Sequence, residues 1–138
     1  MLIVLDTNVL VSGLLSPFGP PARVLDQVVS MNVQVAFDDR IIDEYSEVLR
    51  RPAFGFVLTD VNALIDHIML VGHHTSAAPL NPKSLPDPSD LPFAEVAVSA
   101  SVDVLVTGNR GHFGFLQEYG VPVASPSEFI DIIARLSE

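Results

Sequence analysis

One alternation constrains this chain most. Four short apolar runs, LIVL at 2–5, VQVAF at 33–37, DVLVT at 103–107 and VPVA at 121–124, are separated by stretches with helical periodicity. Apolar runs of that length suit strands buried on both faces. Between them, PPARVLDQVVSM carries two prolines at its start, as a first helical turn tolerates, and DDRIIDEYSEVLRR stops at Pro52. DVNALIDHIMLVG after Thr59, SDLPFAEVAVSAS before the DVLVT run and the closing SPSEFIDIIARL read as three further helices. A weaker fifth strand is expected near His73 to Ala77. Strand and helix alternating in this way predict an α/β fold, with an open, mostly parallel sheet and helices on both faces.

With 138 residues, 49% of them hydrophobic, and neither linker, repeat nor low-complexity tract, the expectation is one domain spanning 1–138. The absence of cysteine excludes disulfides and thiolate metal sites. No basic n-region with a cleavage pattern opens the chain, and no apolar run reaches the ~18 residues of a membrane span. A cytoplasmic protein is expected. Seventeen acidic against seven basic side chains leave a net charge of −10, which argues against a nucleic-acid binder that works by bulk electrostatics. A phosphate ligand would need positive charge supplied locally, by metal ions on clustered carboxylates, by a basic partner, or by a group such as Arg50 and Arg51.

In open α/β sheets ligands bind beyond the carboxyl ends of the strands. Asp6 ends the first strand and Thr107-Gly108-Asn109 ends the DVLVT strand, so both are expected at one edge; Asp103 is expected at the other. At about 100° per residue, Ile41, Ile42, Tyr45, Val48 and Leu49 form the apolar stripe of their helix. Asp43 and Glu47 fall opposite it, whereas Glu44 lies on its border, within reach of a cleft beside the sheet. In SDLPFAEVAVSAS the residues Phe93, Val96, Ala97 and Ala100 point inward and Glu95 outward, while Asp90 opens the helix on its inward side. Asp6, Glu44 and Asp90 are thus expected to converge. Clustered carboxylate oxygens are the donors that Mg²⁺ and Mn²⁺ prefer, and such an ion activates water against a phosphodiester.

Each residue also has an ordinary explanation. Asp6 or Thr7, and Ser89 or Asp90, could cap the helices that follow, and Glu44 could be a surface acid. Thr107-Gly108-Asn109 suits many turns. His67, His73, His74 and His112 lack zinc spacing, and Gly111-His112-Phe113-Gly114 is neither a Walker nor a dinucleotide loop.

Taken in order, LDTNVLVSGLLSPFGPPARVL, DEYSEVLRRP, DPSDLPFAEVAVSASVDVLVTGN and HF at 112–113 resemble the PIN domain nucleases, and among them the VapC-like toxins of toxin–antitoxin pairs. The resemblance implies a Mg²⁺- or Mn²⁺-dependent ribonuclease on a parallel five-stranded sheet. Asp6, Glu44 and Asp90 match the family's first three catalytic acids, and Thr7, Asn8 and Thr107 match supporting polar positions. It further implies an RNA substrate, a cognate antitoxin and a homodimer.

The chain departs from the family pattern at the fourth acid. Asn109 and His112 stand where many members carry Asp, so the expected site holds one metal, or a second one weakly. A catalytically degenerate binding module is the alternative. A receiver or phosphatase-like phosphotransfer domain would also place Asp at the end of the first strand. It needs a lysine late in the sheet, whereas the single lysine, Lys83, precedes Asp90.

Overall fold

A computed structural model describes residues 1–138. Five strands, β1 (Leu2–Leu5), β2 (Gln34–Phe37), β3 (His73–His74), β4 (Val104–Val106) and β5 (Val123–Ala124), lie in the order β3-β2-β1-β4-β5. All four pairings are parallel, with Leu2 beside Gln34 and Leu5 beside Val106. The helices are α1 (Thr7–Leu15), α2 (Pro20–Val29), α3 (Asp39–Leu49), α4 (Leu58–Val71), α5 (Leu91–Ser99) and α6 (Pro126–Leu136). Two 3₁₀ segments, Pro88–Asp90 and Arg110–Tyr119, complete the chain.

Successive residues of a strand face opposite sides of a sheet. Ile3, Val4 and Leu5 are all fully buried, so both faces of β1 are covered by protein, as parallel sheets require. One continuous apolar core runs from these residues through Val24, Ile41, Ile68, Phe93 and Phe129. Gly72 closes α4 where a side chain has no room: a Cβ there would stand 2.6 Å from the Val35 carbonyl oxygen of β2. The helix can therefore turn directly into β3. No helix is long and apolar enough to cross a membrane.

β3 is shorter than the 73–77 run suggests. Its last ladder bond is Thr75 N–H to the Phe37 carbonyl at 2.8 Å, and Pro79 and Pro82 deny further donors beyond it. The 3₁₀ segment 110–119 lacks an α-helical period because its buried side chains, Phe113 and Leu116, repeat at three residues. Glu95 departs most from expectation. It is buried, because α5 is covered on that side too: Arg40 of α3 donates to Oε1 at 2.7 Å and the Leu80 N–H to Oε2 at 2.7 Å.

The strand order fixes where a ligand can sit. From β1 the chain goes to β2 on one side and later to β4 on the other, so the loops leaving β1 and β4 part at their carboxyl ends. Asp6 and Thr107 occupy those ends.

Candidate active site

Asp6 directly follows β1 and continues its ladder, with its N–H donating to the Val106 carbonyl at 3.0 Å. It holds the N-cap position of α1, yet its side chain makes no cap hydrogen bond. Instead the buried carboxylate accepts from Thr107 Oγ1 at 2.7 Å, across from β4. Capping therefore does not explain Asp6. Burial raises its pKa, against the opposing pull of the Thr107 hydroxyl, the Thr7 N–H and His112.

Glu44 lies half-buried on the border of the α3 stripe, while Asp43 and Glu47 are exposed. Thr7 Oγ1 donates to Glu44 Oε2, joining α1 to α3. One residue on, Tyr45 Oη donates to the Leu5 carbonyl at 2.5 Å inside the core. That bond anchors α3 against the end of β1, which fixes the spacing of Glu44 and Asp6. Desolvation raises the Glu44 pKa, Thr7 opposes, and the charges of Asp6 and Asp87 add to the rise.

Asp90 ends the first 3₁₀ turn and is buried. It too sits at a helix start without capping it. Asp87 caps the turn, accepting from the Ser89 N–H at 2.9 Å and Oγ at 2.8 Å. Asp90 Oδ2 has no hydrogen-bond partner; His112 Nδ1 stands 3.3 Å away without bonding geometry. Its pKa is pushed up to about 6 by burial first, then by the charges of Asp6 and Asp87, with His112 opposing.

The supporting residues form a second tier. Asn8 Oδ1 accepts from the Gly108 N–H at 3.0 Å, tying α1 to the loop after β4, and Thr107 Oγ1 accepts from the Asn109 N–H at 3.0 Å. The Asn109 amide nitrogen lies 3.0 Å from His112 Nε2. The other ring nitrogen of His112, Nδ1, faces Asp90.

The charges of Asp6, Glu44 and Asp90 therefore act within one neighbourhood: Asp6 raises the pKa of both others. Asp87, not foreseen from the sequence, acts on all three. Its signal was the Asp-Pro-Ser-Asp spacing, since residues three apart in a 3₁₀ turn share a face. Arg40 and Glu95 were also missed; they link α3, which bears Glu44, to α5, which follows Asp90.

The donor set is chemically suited to a hard divalent cation. It is all oxygen, all three members are desolvated at a cost to their charged forms, and one buried oxygen lacks a partner. As the side chains stand, no three His, Asp or Glu groups are close enough to hold one ion together, so binding would require them to draw inward. Neither Asn109 nor His112 contributes a fourth negative charge.

No curated protein matches the chain. A family model described as PIN domain matches residues 2–111, which takes in β1 through β4 and every acid discussed above. By that match the chain belongs to the PIN domain family, whose members are in general nucleases and typically depend on Mg²⁺ or Mn²⁺.

Proposed function

We propose that this chain is a metal-dependent endoribonuclease and the toxin component of a toxin–antitoxin pair, with Asp6, Glu44 and Asp90 as its catalytic and metal-binding residues. The observation that best supports the proposal is that the Asp6 charge at the switch point of a PIN domain sheet acts on both Glu44 and Asp90, two of the three carboxylates being buried and none used as a cap. A Mg²⁺ or Mn²⁺ ion bound there supplies a water of lowered pKa and stabilises charge on the attacked phosphodiester. The chain's own residues do the positioning. Thr107 holds the Asp6 carboxylate through Oδ2 and Thr7 holds that of Glu44 through Oε2. His112 borders the third carboxylate, its Nδ1 standing 3.3 Å from Asp90 Oδ2. Asn109 holds the ring from its other side, with its amide nitrogen 3.0 Å from His112 Nε2.

The partners proposed with this activity are an RNA substrate, a cognate antitoxin and a second copy of the chain, in the cytoplasm. An antitoxin arginine or lysine directed at the carboxylates would suit a chain of net charge −10. The second reading is a catalytically degenerate PIN domain that binds without cleaving. Asn109 at the fourth position and the separation of the three acids favour it.

Cleavage of single-stranded RNA by wild type, Asp90→Asn and His112→Asp, across a series of Mn²⁺ concentrations, separates the two. The proposal expects weak metal-dependent cleavage that Asp90→Asn abolishes and His112→Asp strengthens. Wild type without cleavage, together with no gain in His112→Asp, would assign the binding module.

A further inference from the structure

Beside the carboxylates lies a groove of about 280 Å³ between the segment before Asp90 and the 3₁₀ segment after β4, lined by Lys83, Ser84, His112, Phe115 and Glu118. His112 belongs to both places. Its ring forms part of the groove wall while its Nδ1 stands 3.3 Å from Asp90. The groove therefore begins where the candidate active site ends.

Its chemistry is mixed in a particular order. Lys83 carries the only fixed positive charge in the wall and is the chain's single lysine. Among the arginines, Arg40, Arg51 and Arg110 are each paired with carboxylates, and Arg50 is held by Ser46 and Asn62. Phe115 is only partly buried and packs one side against the core. Gly111 and Gly114 leave open space where side chains would stand, so backbone borders the groove without blocking it. Glu118 is exposed and contributes a carboxylate to the same wall.

One cation, one aromatic ring and one carboxylate do not suit a run of several phosphates within the groove, because Lys83 is its only fixed positive charge. They do suit a single nucleotide. Lysine attracts the phosphate, an aromatic face stacks a base, and a carboxylate accepts from an exocyclic amine. The volume admits one base and its sugar and not a duplex.

We propose that this groove is a single-nucleotide subsite for single-stranded RNA, holding the nucleotide next to the phosphate at Asp6, Glu44 and Asp90, with Lys83 on its phosphate, Phe115 on its base and Glu118 selecting an amino-bearing base. The subsite rests on the nuclease assignment for its substrate class but not for its test, because binding is read without cleavage. Glu118 accepts from the N4 amine of cytosine, at the position where uracil presents the acceptor O4. Cytidine is therefore preferred over uridine.

The test uses the full chain carrying Asp6→Asn, with fluorescein-labelled cytidine and uridine 12-mers titrated by fluorescence anisotropy in Mg²⁺ at several salt concentrations. Lys83→Ala should weaken binding about tenfold at low salt and reduce the salt slope by about 0.7, as expected for one phosphate contact on a single strand. Lys83→Arg should restore both. Phe115→Leu, which keeps an apolar side chain but removes the stacking face, should weaken binding about tenfold. Glu118→Gln should abolish the preference for cytidine. Arg135→Ala, in a separate cavity with Asp103 where β4 begins, should bind within twofold of the parent.

The proposal is overturned if the parent binds neither oligonucleotide, or if Lys83→Ala and Phe115→Leu bind within twofold of it. Cleavage by wild type combined with that second result would leave the nuclease standing and remove the subsite. Binding that depends on Lys83 and Phe115 in a chain that cleaves nothing would leave the subsite and remove the nuclease.

Discussion

Replacing Asp90 by Asn should stabilise the metal-free protein, and more so as the pH rises. The carboxyl is buried beside Asp6 and Asp87, and its pKa is pushed from 3.8 to about 6. A raised carboxyl binds its proton more tightly folded than unfolded, so its contribution is fully present below pH ~4 and is lost as the pH climbs through about 6. At about 1.4 kcal/mol for each tenfold in proton affinity, the loss by pH 8 is ~3 kcal/mol. The Asn amide still faces the His112 ring and the crowded acids, and an imperfectly satisfied amide returns about 1–2 kcal/mol of that gain. The net expectation at pH 8 is a stabilisation of about 1–2 kcal/mol, worth ~3–8 °C in Tm for a domain of this size. Near pH 4.5 the gain should vanish or change sign, since folded Asp90 is then neutral and what remains of its penalty, ~1 kcal/mol, no longer exceeds the cost of the amide. Urea unfolding of both proteins in EDTA between pH 4.5 and 8 reads the difference directly, and pairing the curves cancels the other acids. A stability difference that does not change with pH, or one that favours wild type at pH 8, would refute the assignment of Asp90 as a desolvated and electrostatically crowded carboxylate.

Adding Mn²⁺ should raise the Tm of wild type, because a ligand that binds only the folded state stabilises it, and Asp6→Asn should respond little; an equal rise in both would remove Asp6 from the metal site. Tyr45→Phe leaves the buried Leu5 carbonyl without its hydroxyl donor and should cost about 1–2 kcal/mol in urea unfolding, with an unchanged fold by circular dichroism; a loss below ~0.3 kcal/mol would show that the bond does not anchor α3. Glu95→Ala strands the Leu80 N–H and frees Arg40; since the Arg40 side chain is 46% exposed, the cost should be about 2 kcal/mol, below that of a fully buried pair. Glu95→Gln, which can still accept from the Leu80 N–H, should recover part of it, and equal losses in the two variants would contradict that contact.

The parallel sheet was legible because its signal is local and repeated. Continuous apolar runs at 2–5 and 104–106 can be satisfied only by cover on both faces, and prolines and turn residues punctuate what lies between them. Asp6 and Glu44 were legible for a related reason. The position of an acid at a strand end, or on the border of a helical stripe, follows from periodicity alone. What periodicity cannot register is the neighbour from another element. Glu95 falls on the polar side of its own helix, and only the arrival of Arg40 from α3 and Leu80 from the preceding segment turns that side into interior. Asp87 reads as a turn residue, and it is one; its charge matters to Asp6 and Glu44 because the fold brings its turn to the edge of β1. The sequence by itself determined the element types, their order and the acids available, since these depend on contacts a few residues apart. Tertiary structure alone decided which acids share a neighbourhood, which lose their water, and that Lys83 and Phe115 face one groove, because desolvation and charge coupling depend on distance in space and not along the chain.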